Sequence, residues 1–151
     1  MAAAEGRPTS VSGRVRLGTR EASILTALID AIVAPDAGMP EVRKTDAVDF
    51  IAEYLSASPT LNRIALRAAL QAIELASIPR YRRGMRALAR DPRGRYLGSL
   101  CRGPTALAMS AITALAKLAY YGDDAVLGSL GYEPEARIAR GRALRAAEAR
   151  W

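Results

Sequence analysis

The chain has 151 residues, half of them apolar, with a formal net charge of +7 at pH 7, which suits one ordinary domain with a real core. A single cysteine, Cys101, and the absence of histidine exclude disulfide frameworks, zinc sites, haem ligation through histidine, and Ser-His-Asp or Cys-His catalysis. The apolar content is mostly Ala and Leu, with one Phe and one Trp, a balance that favours close-packed helices over strands and makes the expected fold all-α.

Residues 1–18 lack periodicity and read as a flexible lead-in. No apolar stretch follows Arg7 or Arg14, so an export signal is not expected, and a lone thiol suits a reducing, cytoplasmic setting. Thr19 is placed to cap a first helix with Glu21 in its first turn, and Ile24, Leu25, Leu28, Ile29 and Ile32 follow helical spacing until Pro35. Ala34 to Lys44 is a polar loop with two prolines and a glycine. Thr45 or Asp46 can cap the second helix, which turns Val48, Ile51 and Leu55 inward with Phe50 and Tyr54 beside them. Ser58-Pro59 predicts the start of a third helix, buried through Leu61, Ile64, Leu66, Leu70 and Ile73 and closed by Pro79.

A short helical piece is expected around Met85 and Leu88. Asp91-Pro92 signals a helix that shows Tyr96, Leu97 and Leu100 to the core, and Cys101 near its end reads as a small core residue. Gly103-Pro104 opens the longest apolar helix, about 104–121, apolar nearly all round through Leu107, Ala108, Ile112, Leu115, Leu118 and Ala119 and therefore expected at the centre of the fold. No window is apolar enough to span a membrane. Gly122-Asp123-Asp124 is a turn with a cap, leading to a short helix that Gly131 can end in the left-handed conformation. Glu133-Pro134 starts a charged C-terminal helix, in which Ile138 and Leu144 stand among Arg137, Arg140, Arg142, Arg145 and Arg150. The expectation is one compact domain of about six or seven helices over 19–132, with 133–151 as an Arg-rich docking tail ending in Trp151.

Charge is unevenly spread. Arg80 to Arg102 holds eight arginines against Asp91 alone, so this section carries a charge equal to that of the whole chain. Three readings stay open for it: a solvated face, a surface for an acidic protein, or a nucleic-acid contact. Sparse aromatics and only two lysines weigh against nucleic acid. Asp36, Glu41, Asp46, Asp49 and Glu53 match no calcium loop and suit helix N-termini instead.

Three stretches carry a family likeness: ALIDAIVAPDAGMPEVRKTDAVDFIAEYL from Ala27 to Leu55, RYRRGMRALARDPRGRYLGSL from Arg80 to Leu100, and LAKLAYYGDDAVLGSLGY from Leu115 to Tyr132. In their order, with the Val33-Ala34-Pro35 stop, Phe50-Ile51, Tyr120-Tyr121, Gly122-Asp123-Asp124 and Leu130-Gly131-Tyr132, the chain resembles subunit 3 of gluconate 2-dehydrogenase. That family comprises the small accessory subunits of flavin-dependent dehydrogenases of the glucose-methanol-choline type. The resemblance implies a helical subunit with no catalytic residues, cofactor or metal of its own. It would bind and stabilise a larger subunit that holds FAD and oxidises an alcohol or sugar, with a cytochrome or other electron-transfer subunit left open as a further partner. Residues suited to the partner interface are Tyr121, Tyr132, Arg83, Arg86, Arg90, Arg137, Arg140, Leu144 and Trp151, because Tyr, Trp and Arg are enriched in docking surfaces. The alternative is a basic helical nucleic-acid-binding or regulatory module using Arg80 to Arg102.

Overall fold

The computed structural model describes residues 16–148. The bulk of the lead-in, 1–15, and the expected docking residue Trp151 lie outside them. The described chain is all-α, as the composition requires, and its elements follow one another in an order set by local caps.

Helix α1 runs from Thr19 to Val33. Its N-cap is Gly18 rather than Thr19, with the Gly18 N–H donating to the Glu21 carboxylate at 2.9 Å. Ala34 ends it in the left-handed region (φ 44°), its N–H returning to the Asp30 carbonyl. A 3-10 turn at Val42–Lys44 crosses the loop before α2, Ala47–Ala57. Ser58 does not cap the next helix; its hydroxyl donates to the Tyr54 carbonyl at 2.8 Å and so finishes α2. Helix α3 covers Thr60–Ala76, and a single turn, α4, covers Ile78–Tyr81 around Pro79.

The piece around Met85 is a 3-10 turn, Met85–Ala87, leading into α5, Arg90–Leu100. Asp91 and Pro92 sit inside the first turn of α5 with Ala89 at the N-cap, so the cap-plus-proline signal marks the helix two residues late. Cys101 follows α5 in an exposed turn; a thiol at a helix end has no second layer above it, which corrects its reading as a core residue. Helix α6 spans Ala106–Tyr121 and α7 spans Asp124–Ser129. Gly131 takes φ 68°, as expected, and α8 runs from Pro134 to Glu148.

The core forms around α1, which touches α2, α3, α5, α6 and both 3-10 turns. Ile24, Leu28 and Ile29 are fully buried, with Leu25, Ile51, Leu55, Leu70, Met85, Tyr120 and Val126 packed around them. This corrects the expectation that the helix at 104–121 is central. Helix α6 is apolar on two sides, and only one, Met109, Ile112, Ala116, Ala119 and Tyr120, meets the core; Leu107 is 85% exposed and Leu118 59%. The same correction applies to α3, where Leu70 and Ile73 are buried while Leu61 and Ile64, expected inside, face outward.

Polar groups lock the helices together at two places. The Arg93 guanidinium donates to the carbonyls of Ala27, Arg86 and Leu88 and pairs with Asp30 at 3.3 Å, so one side chain from α5 closes the C-terminal end of α1 and the turn before α5. Glu74 of α3 is buried and accepts the Arg86 backbone N–H at 3.0 Å, with the Arg86 Nε 3.2 Å from its other oxygen. Ser77, also buried, donates to the carbonyls of Glu74 and Arg83. The loop after α4 is therefore held at two points, by the Ser77 hydroxyl donating to the Arg83 carbonyl and by the Glu74 carboxylate accepting the Arg86 N–H.

Candidate docking site

The site is built where α2, the Ala34 to Lys44 loop and the α6–α7 corner meet. Tyr120 is fully buried, and its hydroxyl donates to the Pro40 carbonyl at 2.7 Å, pinning the loop against α6. Asp123 does two jobs. One oxygen caps α7 by accepting from Ala125 N–H at 2.9 Å and Val126 N–H at 3.4 Å, and the other accepts the Asp46 N–H at 2.8 Å, at the N-terminus of α2. The cap for α2 thus comes from 77 residues away, while Asp46, at the N-cap position, makes no side-chain cap bond and the Thr45 hydroxyl donates back to Val42.

These ties bring together residues from the first and third stretches of family likeness. Phe50 lines an open cleft of about 400 Å³ with Lys44, Asp46, Ala119, Gly122, Asp123, Asp124 and Ala125. Phe50 and, one helical turn along α2, Tyr54 are exposed by 41% and 50%. On α6 the face opposite the core carries Leu107, Ala111, Ala114, Leu118 and Tyr121, all exposed and all apolar or aromatic. Their 4-3-4-3 spacing is that of a helix-packing seam. Tyr121 is held in place by edge-on contact with Tyr120, ring centroids 5.2 Å apart.

Comparison with protein-family models, curated proteins and solved structures finds no match. The likeness to the accessory-subunit family therefore stands on the residues themselves.

Of the residues expected at a partner interface, Tyr121 lies on this outer face of α6. Tyr132 is half exposed beyond α7, with the Arg137 guanidinium 5.1 Å from its ring centre. Arg140 and Leu144 lie on α8, whose described residues are exposed throughout except Gly141, which is half-buried; Leu144 and Ile138 have no core beneath them, as their arginine-rich surroundings imply. The arginine-rich section divides. Arg83 points to solvent. Arg86 spends its charge on Glu74, and Arg90 donates to the Pro35 carbonyl at 3.2 Å. Arg93 is mostly buried in the junction of α1 and α5. Three of the eight arginines thus hold the fold, which shrinks the positive surface available to any anionic partner.

Phe50, Tyr54, Leu118 and the α6 alanines were not singled out from sequence as interface residues. The available signal was the apolar content of α6 on two sides, which one core cannot absorb. Among the described residues no group of three or more metal-ligating side chains converges, and no helix is long and apolar enough to cross a membrane.

Two buried phenols give the fold a pH dependence. Burial raises the Tyr96 pKa above the ordinary 10.0, with the Glu74 and Tyr81 charges adding to it; Tyr96 donates to the Ile73 carbonyl at 2.7 Å. Burial likewise raises the Tyr120 pKa above 10.0, helped by Tyr121, Asp123 and Asp30. A raised pKa means that the folded state favours the neutral phenol. The stabilisation is complete below pH 10 and is lost as pH rises from there through the folded-state values. Urea unfolding at increasing alkaline pH is expected to show a falling midpoint. Tyr96→Phe and Tyr120→Phe together lower stability at neutral pH by about 1 kcal/mol each and flatten the alkaline fall.

Proposed function

We propose that this chain is the small, non-catalytic subunit of a larger assembly, docking through the α2–α6 surface onto a flavoprotein of the glucose-methanol-choline type and stabilising it. The observation that carries the reading is the convergence of the first and third stretches of likeness at one corner, where Asp123 accepts the Asp46 N–H and Phe50 lines an open cleft, together with the exposure of Phe50 and Tyr54 on α2 and of Leu118 and Tyr121 on the outer face of α6. Monomeric surfaces seldom leave a large apolar stripe uncovered, and α6 leaves one from Leu107 through Ala111, Ala114 and Leu118 to Tyr121. Aromatic rings with a polar tip suit an interface whose rim stays wet. Helix α8 supports the same reading: an arginine-rich helix of 15 residues with no apolar face on its own core gains stability from a partner, since isolated helices of that length are marginal in water. FAD, in this reading, belongs to the partner.

The test is co-expression with a flavoprotein of that type encoded beside this chain. The two are expected to co-elute with FAD bound. Leu118→Glu, on an outward face where it leaves the core untouched, is expected to weaken the complex by at least about tenfold through burial of an unpaired charge. Elution of the two proteins apart at micromolar concentration sinks the reading.

A further inference from the structure

The corner that leads from α3 through α4 to α5 is strongly cationic, and the fold uses only part of that charge. From Leu75 to Arg90 the sequence holds five arginines and no acidic residue. Arg86 and Arg90 are spent on Glu74 and on the Pro35 carbonyl. The side chains of Arg82 and Arg83 have no partner among the described residues, and the Arg80 guanidinium meets only the Tyr81 ring, 5.6 Å from its centre. Between Leu75 and Arg83 every residue is exposed except Ser77, which is buried, and Tyr81, which is half-buried. The exposed residues include Leu75 (50%), Ile78 (43%) and Pro79. Uncovered aliphatic side chains and unpaired guanidiniums thus share one short segment.

The segment has a fixed shape. The Ser77 hydroxyl closes its neck by donating to the Glu74 and Arg83 carbonyls, and the Tyr81 ring stands edge-on against buried Tyr96, centroids 6.0 Å apart. Arg82 takes φ 53°, a left-handed backbone that side chains other than Asn and Asp rarely adopt. An arginine therefore holds a place where glycine would cost less, and its guanidinium does nothing for the fold. A counterpart that satisfies this corner is anionic and apolar at once. Nucleic acid supplies phosphates but leaves Leu75 and Ile78 uncovered, and an acidic protein surface covers them only with a pocket shaped for them. The face of an anionic bilayer offers both, phosphates at the surface and acyl chains beneath. Guanidinium pairs its N–H groups with phosphate oxygens, and the long arginine stem keeps the charge among the headgroups while a neighbouring aliphatic goes deeper. A tyrosine ring suits the level between the two layers, and the net charge of +7 adds attraction at longer range.

We propose that the α4 corner is a reversible attachment site for an anionic lipid surface, with Leu75, Ile78 and Pro79 entering the headgroup boundary and Arg80, Arg82 and Arg83 meeting lipid phosphates. The contact lies on the membrane and does not cross it, since no described helix is long and apolar enough to span. So small an apolar tip binds only where anionic lipid adds its attraction. The proposal is independent of the flavoprotein reading, which uses α2 and α6, so vesicle binding by the chain alone and co-elution with the flavoprotein succeed or fail separately.

Co-sedimentation of the purified full chain with vesicles tests it, using phosphatidylcholine alone and phosphatidylcholine with about 30% phosphatidylglycerol. The chain is expected to bind the anionic vesicles and not the neutral ones, with affinity falling as salt rises. Arg82→Asn combined with Arg83→Gln is expected to lower the partition constant by at least about tenfold, and Asn keeps the left-handed turn. Ile78→Ser changes no charge and is expected to lower it by at least about threefold. Both variants are expected to keep their far-UV circular dichroism and thermal midpoint, because these side chains are exposed. In a Trp151→Phe background, Ile78→Trp carries the chain's only indole at the tip, and its emission is expected to move to the blue on anionic vesicles alone. No binding to anionic vesicles at low salt overturns the proposal. So does binding that the corner variants leave intact while Arg137→Gln with Arg140→Gln abolishes it, which would move the contact to α8. Binding that Ile78→Ser leaves unchanged, that the indole does not register and that duplex DNA displaces overturns it equally, because the arginines would then form a general polyanion site.

Discussion

Gly84→Ala is expected to unfold this protein at markedly lower urea, with a loss of about 2–3 kcal/mol, although Gly84 has a backbone that any residue can adopt (φ −66°, ψ 155°). The glycine is required by its neighbour. A Cβ there would overlap the Glu74 carboxylate, which is buried and already committed to the Arg86 N–H and Nε. Glu74 cannot retreat without abandoning both bonds, so the strain falls on the loop between α4 and α5. Glu74→Ala is expected to cost about 2–4 kcal/mol, because it leaves a buried N–H unsatisfied and opens a cavity. The two losses should not add. With the carboxylate gone, the new methyl has room, and Gly84→Ala in the Glu74→Ala background is expected to cost under about 1 kcal/mol. Additive losses in that double-mutant cycle, followed by circular dichroism, would show that the contact is not what requires glycine.

How much of this was legible in the sequence depends on how local each determinant is. Pro35 ending α1, Asp123 capping α7, Gly131 in the left-handed region and Pro134 opening α8 are all written within a few residues of where they act, and the structure follows them. Periodicity located α3 and α6 but could not orient them. Both helices are apolar on two opposite faces, so spacing alone gives no way to tell Leu70, which is buried, from Leu61, which is not. The surplus of apolar residues on α6 also drew attention from α1, whose single apolar stripe proved to be the axis of the core, and it hid the outer side of α6, which the core leaves exposed. Glu74 left no signal because its partner is a backbone N–H 12 residues on. The arginine-rich section read as a surface because sequence shows charge but not the carbonyls that Arg90 and Arg93 meet.

Asp123 joins the legible part of the site to the illegible part, and removing its carboxylate is expected to affect both. Asp123→Ala leaves the N–H groups of Asp46 and Ala125 without their acceptor. A charged acceptor lost at two helix N-termini is expected to cost about 2–3 kcal/mol in urea unfolding. Asp123→Asn keeps an oxygen in place and is expected to cost under about 1 kcal/mol. The difference matters for docking because the Asp46 contact, together with Tyr120 on Pro40, sets where α2 lies against α6, and so sets the spacing of Phe50 and Tyr54 from Leu118 and Tyr121. If docking uses that spacing, Asp123→Ala weakens the complex with the flavoprotein at temperatures where the variant is still folded, although Asp123 itself is a capping residue with its oxygens turned toward backbone. Asp123→Asn retains the complex. Equal retention by both variants would mean that the partner reads α6 alone, and that the tie between the two stretches of likeness serves the fold of this subunit and not its docking.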